Sequence, residues 1–160
     1  MKDLYIRNVI FGIVDSLVST VGLLSGIDVS GTTRSVIVLT GIIYAFVEAF
    51  SMAIGSFLSE ESTEEYETKS EVSNNRPYVA GVIMFISFVL AAFIPISPYI
   101  FLSSSAALGL SIALSLAALF IAGMIIAKIS EIHVVKHAAK IVILGGAAII
   151  IGVIVGKLIG

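Results

Sequence analysis

Cysteine and tryptophan are absent from the 160-residue sequence, and charged residues make up only 12% of it. Without cysteine, the chain has no disulfide, no thiolate metal site and no thiol nucleophile. Soluble domains contain about 25% charged residues. The shortage of charge, the 58% apolar content and the mean hydropathy of +1.13 therefore indicate an integral membrane protein. No stripe of basic and aromatic residues suggests a nucleic-acid partner.

Five apolar segments are long enough to cross a lipid bilayer, which takes about 20 mainly apolar residues. They predict an all-α membrane protein with one transmembrane domain over residues 1–160. The segments cover residues 8–27, 35–58, 78–96, 104–127 and 138–158. The first segment contains Asp15 and lacks a small-residue cleavage site followed by a soluble domain. We therefore expect it to be a membrane helix of the mature protein and not a signal peptide.

The basic residues predict the orientation of these spans. Seven of them flank the spans on one side, and only Arg34 and Lys157 fall on the other. The seven are Lys2, Arg7, Lys69, Arg76, Lys128, Lys136 and Lys140. By the positive-inside rule, the N-terminus is cytosolic and the C-terminus lies outside.

Prolines and glycines predict where the helices begin and end. Pro77 is placed to open the third helix within its first turn. We expect Pro95 and Pro98 to end that helix in a short outer turn, and residues 28–33 to form the outer turn between the first two helices.

The first predicted helix carries a stripe of polar and small residues. Asp15, Ser19, Gly22 and Gly26 recur at helical spacing and share one face. Ionisable residues within a span are rare and usually mark a pathway, although Asp15 could also only hydrogen-bond between helices. The glycines form a GxxxG pattern typical of helix packing, as do Gly152 and Gly156 in the last span.

On the second predicted helix, Glu48 and Met52 lie one turn apart and point the same way. A carboxylate with a thioether suits a borderline transition ion such as Fe(II), Mn(II) or Co(II) better than Mg(II) or Ca(II). Alternatively, Met52 only fills a packing gap. One chain offers only three candidate ligands, Asp15, Glu48 and Met52, which are too few to fill the coordination sites of an octahedral ion. A C2 homodimer would supply each twice, and the glycine-lined face of the first helix is where its axis could pass.

The second helix is predicted to continue into a glutamate-rich cytosolic extension and linker over residues 59–76. The repulsion between like charges four residues apart would be relieved by a bound cation. The extension is therefore either a solvated face or an antechamber that captures divalent ions. Its glutamates are Glu60, Glu61, Glu64, Glu65, Glu67 and Glu71, of which Glu60, Glu64, Glu67 and Glu71 form one row.

The remaining motifs do not favour a further metal site or an enzyme active site. His133 and His137 are four residues apart, but their lysine-rich surroundings favour a structural role over a metal site. No P-loop, HExxH or Ser-His-Asp pattern indicates an enzyme, and nothing calls for a prosthetic group.

The first two helices resemble those of the vacuolar iron transporter family. Residues 11–26, FGIVDSLVSTVGLLSG, are similar to its pattern "DGL...T..G...G", and residues 48–59, EAFSMAIGSFLS, to its pattern "SMA.GEYLS". The resemblance implies a five-helix homodimer that carries Fe(II), and often Mn(II), out of the cytosol in exchange for protons. Asp15 then matches the pore aspartate and Met52 the pore methionine.

The sequence departs from this family in two places. Ser56 stands where the family has a glutamate, and Glu48 lies two turns earlier. Plant members have a long helical metal-binding domain after the second helix, of which only the glutamate-rich first helix remains here. The short chain suits a prokaryotic plasma membrane, or a vacuolar membrane in a eukaryote. Two alternatives stay open, namely a proton-coupled transporter of another small solute and a non-transporting membrane scaffold.

Overall fold

A computed structural model describes residues 2–72, 74–102 and 104–160, and these residues form five α-helices and no strand. Each helix is long and apolar enough to span a membrane, which confirms the predicted all-α class and the five spans. The helices are α1 (Lys2–Val29), α2 (Arg34–Thr68), α3 (Arg76–Phe101), α4 (Ser104–Ile129) and α5 (Val134–Ile159). They extend beyond the predicted apolar segments because helical hydrogen bonding continues through polar ends.

Helix α1 is the centre of the bundle and packs against all four other helices. Its residues Leu17, Val21 and Leu24 are fully buried. The buried Ser16 hydroxyl donates a hydrogen bond to the Phe88 carbonyl of α3 at 2.7 Å, which satisfies a polar group away from water. Of the predicted polar stripe of α1, Gly22 and Gly26 are buried as well, whereas Asp15 and Ser19 are half-buried.

The glycines of α1 lie against the glycines of α5. A Cβ atom on Gly152 would come within 2.0 Å of the Gly22 carbonyl oxygen, and one on Gly156 within 2.0 Å of the Gly26 carbonyl oxygen. Only glycine permits the two backbones to approach this closely. The idea that a dimer axis passes along this face of α1 is thus wrong, because α5 of the same chain occupies it.

Helix α3 continues through Pro95 and Pro98 to Phe101, so the prediction that these prolines end it is wrong. Pro98 has no N–H to donate to the Ile94 carbonyl, but the Ser97 hydroxyl donates to that oxygen at 3.0 Å. The Ser111 hydroxyl of α4 also donates to the Pro95 carbonyl at 2.7 Å. Proline is tolerated in membrane helices where side chains satisfy the backbone in this way. Pro77 lies in the first turn of α3, as predicted.

Helix α2 runs without a break over 35 residues, from its apolar part into the acidic extension. It ends at Thr68 because Lys69 adopts the left-handed conformation (φ 55°) and its N–H bonds the Glu65 carbonyl. Glu71 therefore lies beyond the helix. The predicted row of four glutamates on one helical face is in fact a row of three.

Candidate metal pathway

Two acids in the membrane-spanning helices come together between α1 and α2. Asp15 of α1 and Glu48 of α2 are both half-buried and close enough to interact electrostatically. Tyr44, one turn before Glu48, lies near Ser19 of α1 and near both acids. The site is thus a cluster of four oxygen-bearing side chains from two helices, and we call it the Asp15 cluster.

Tyr44 is a residue of this cluster that was not predicted from the sequence. Its position four residues before Glu48 puts it on the same helical face, and this spacing would have been enough to find it. Its hydroxyl is both a donor and an acceptor, so it can hold a carboxylate or a hydrated ion in place.

Met52 lies one turn beyond Glu48 and lines a cavity of about 950 Å³. Serine side chains of α2 share its wall, and Met84 of α3 adds a second thioether that the sequence did not reveal. Neither Asp15 nor Glu48 is among the lining residues. Along α2, the cavity therefore lies between the Asp15 cluster and the acidic extension.

Ser56, which replaces a glutamate of the family pattern, also lines this cavity. Its hydroxyl donates to Asn8 Oδ1 at 2.5 Å, and Asn8 Nδ2 donates to the Leu4 carbonyl at 2.9 Å. Asn8 is only 2% exposed, so these bonds satisfy a buried amide. At this position the protein has a hydrogen bond between α1 and α2 where the family pattern has a carboxylate.

Glu60, the first glutamate of the extension, is held by two arginines. Its carboxylate oxygens lie 2.7 Å from Arg7 Nη2 of α1 and 2.9 Å from Arg76 Nη2 of α3. Glu60 is only 7% exposed, whereas both arginine side chains remain largely open to solvent. This arginine clamp joins α2 to the N-terminal ends of α1 and α3, and each oxygen of the Glu60 carboxylate is paired with an arginine.

The other glutamates of the extension differ in their surroundings. One Glu64 oxygen accepts a hydrogen bond from Asn74 Nδ2, while the Glu65, Glu67 and Glu71 side chains are exposed and Glu61 is half-buried. Among the described residues, no three His, Asp or Glu side chains lie close enough together to hold a metal ion. Metal capture by this extension stays a prediction.

The two histidines are separated in the structure. His133 is the N-cap residue of α5 and is exposed, whereas His137 is half-buried and lines the cavity. They belong to no cluster of three potential metal ligands among the described residues.

Five membrane-length helices with a cluster of carboxyl and hydroxyl groups between α1 and α2 define an integral membrane protein with a polar site inside its spans. The sequence profile of the VIT family matches residues 6–76 and 67–157. The chain therefore belongs to the VIT family, as the motifs of its first two helices predict.

Relatives match along most of the chain. Vacuolar iron transporter homologs 3 and 4 of Arabidopsis thaliana are 28% and 29% identical to it, over 98% of this chain and 84% of each relative. An uncharacterized protein of Methanocaldococcus jannaschii is 27% identical, over 85% of this chain and 80% of its own.

Proposed function

We propose that this protein transports Fe(II), and also Mn(II) or Co(II), out of the cytosol in exchange for protons. The observation that carries the proposal is the meeting of Asp15 and Glu48 between two membrane-spanning helices. Two acids within the spans are costly to keep unless a cation or a proton compensates them. Membership of the VIT family and the similarity to vacuolar iron transporter homologs support the choice of iron.

Met52 supports the choice of a transition ion. Its thioether lies one turn from Glu48, and Met84 lines the same cavity. Sulfur favours transition ions over Mg(II) and Ca(II), while the carboxylates bind either kind. We place the ion's route along the α2 wall of the cavity, past Met52, to the Asp15 cluster.

The same carboxyl groups account for proton exchange. A carboxyl group ligates a metal only when deprotonated, so an arriving ion releases any proton that Asp15 or Glu48 carries. After the ion leaves on the far side, protons can return to the empty carboxyl groups. Metal transport and proton transport are then coupled by the same two carboxyl groups.

We propose that a second copy of the chain supplies the remaining metal ligands of the pathway. One chain offers two carboxyl groups and a thioether near each other, which are too few for an octahedral ion even with some water ligands. A C2 homodimer would double the set. Because α5 covers the glycine face of α1, the second copy would have to approach from the α2 side.

Uptake into vesicles that contain the purified protein tests the proposal. Fe(II), Mn(II), Co(II), Zn(II) and Ca(II) are compared with and without a pH gradient, using a metal-sensitive dye and a pH dye inside. We expect uptake of the transition ions with opposite proton movement, and little uptake of Ca(II).

Asp15→Asn should abolish this uptake while the protein stays folded in size-exclusion chromatography, because an amide cannot exchange a proton for a metal ion. Glu131→Gln is the matched control, since Glu131 is exposed in the connector between α4 and α5. Unchanged uptake by Asp15→Asn would refute the proposal. Absence of any flux in the native protein would favour the scaffold, and proton flux without metal uptake would favour another solute.

A further inference from the structure

The mouth of the 950 Å³ cavity has a charge that cation transport does not explain. The charged residues that line the cavity are Arg7 of α1 and Lys140 of α5, joined by His137 three residues before Lys140. No aspartate or glutamate is among its described lining residues. These basic residues belong to α1 and α5 and not to the α2 wall along which the ion's route is proposed, and they attract an anion.

The walls behind this mouth are apolar and lead into a second opening. Ile10 and Val14 of α1 and Ile126 of α4 line both the cavity and a groove of about 500 Å³ between α1 and α4. Apart from Tyr5, the groove is lined by aliphatic side chains. A basic mouth and a hydrocarbon-like groove thus share one wall.

The groove has the length of one bilayer leaflet. It follows α1 from Tyr5 to Leu17, which is about 18 Å at 1.5 Å per residue. Half of a hydrocarbon core of roughly 30 Å is about 15 Å. Arg7 and Ile129 lie at the same end of the bundle, so the groove runs from the level of the basic groups toward the middle of the spans.

We infer that this is a binding site for an anionic phospholipid. Arg7, His137 and Lys140 hold the phosphate, and the acyl chains lie on the wall formed by Ile10, Val14 and Ile126. Arg7 gives one guanidinium nitrogen to Glu60, but its side chain is 61% exposed and its other N–H groups remain available. Basic pockets between helices on the cytosolic side are a known means of binding acidic headgroups.

Other occupants fit the same residues less well. A free phosphate would use the mouth but leave the apolar wall uncovered. The second copy of the chain in the proposed function approaches from the α2 side and leaves the groove between α1 and α4 uncovered.

Native mass spectrometry of the purified protein tests the inference. The protein in detergent is titrated with phosphatidylglycerol and with phosphatidylcholine of the same chain lengths, and inorganic phosphate is added as a competitor. We expect phosphatidylglycerol to be retained in preference. Lys140→Gln should lower its affinity about fivefold, the equivalent of about 1 kcal/mol for one basic residue. Lys157→Gln, at the other end of α5 and outside both openings, should leave the affinity unchanged.

A second variant tests the acyl chain separately. Ala122→Phe puts a ring into the groove without changing the charge of the mouth, and it should lower phosphatidylglycerol retention while size-exclusion chromatography shows an intact protein. Equal retention of the two lipids, full competition by equimolar phosphate, or a dimer that excludes lipid would overturn the inference. None of these measurements depends on metal transport, so the two proposals can fail independently.

Discussion

The two ends of α1 are joined to the rest of the protein by different means. Toward its C-terminus, Gly22 and Gly26 lie directly against the backbone of α5. Toward its N-terminus, Arg7 and Asn8 are tied by polar bonds to α2, beside the 950 Å³ cavity. We call these parts the glycine seam and the open half.

This difference follows from the size of the side chains between the helices. Glycines at every fourth position let the α1 and α5 backbones touch. In the open half the corresponding side chains are larger, among them Phe11, Ile141 and Leu144, and they line a cavity. The seam holds the helices together, while the open half offers space for an ion or a lipid.

Breaking the seam should have the largest effect on stability. Gly152→Leu puts a side chain where even a Cβ atom would lie 2.0 Å from the Gly22 carbonyl oxygen, and a backbone atom cannot give way easily. We expect a loss of more than about 3 kcal/mol, above the usual cost of overpacking. Thermal unfolding followed by circular dichroism in detergent measures it.

Gly146→Leu is the control for the seam, because a Cβ atom on Gly146 of α5 would meet nothing within 4 Å. Its unfolding temperature should stay close to that of the native protein. If the two leucine variants unfold at the same temperature, the seam is not what holds α5 to α1.

The arginine clamp should have a smaller effect. Glu60→Gln removes the charge that joins Arg7 and Arg76, and we expect a loss of about 1–2 kcal/mol. The loss is moderate because both arginines are partly solvated and can be rehydrated.

Chemical denaturation in detergent measures the effect of Glu60→Gln against that of Glu65→Gln. Glu65 lies on the same helix with an exposed side chain, and its replacement should change stability by less than about 0.5 kcal/mol. Equal effects of the two substitutions would mean that the clamp adds no stability to the open half.

The smallest effect is expected at Ser56. Ser56→Ala removes the hydrogen bond to Asn8 and should cost about 1 kcal/mol. Ser62→Ala, on the exposed part of α2, serves as the comparison and should be nearly neutral. The same denaturation experiment compares the stabilities of the two variants. If Ser56→Ala leaves stability unchanged, water in the cavity replaces the lost hydrogen bond.

Much of the site could be predicted because helical spacing is a local property. The positions of Asp15, Glu48 and Met52 on their own helices follow from the sequence. Tyr44 obeys the same spacing and was overlooked. Met84 could not be found in this way, since it reaches the cavity from α3 and no spacing within one helix relates it to Met52.

The sequence alone determined the five spans, the unbroken passage of α2 into its acidic end and the glycine spacing, because hydrophobic length and helical periodicity are carried by neighbouring residues. The partner of each helix face depends on the tertiary structure: α5 packs on the glycines of α1, and Arg7 and Arg76 pair with Glu60. Packing also allows α3 to continue through Pro95 and Pro98, because the Ser111 hydroxyl of α4 donates a hydrogen bond to the Pro95 carbonyl. A periodic pattern fixes the direction in which a side chain points, whereas the partner found there depends on how all five helices pack together.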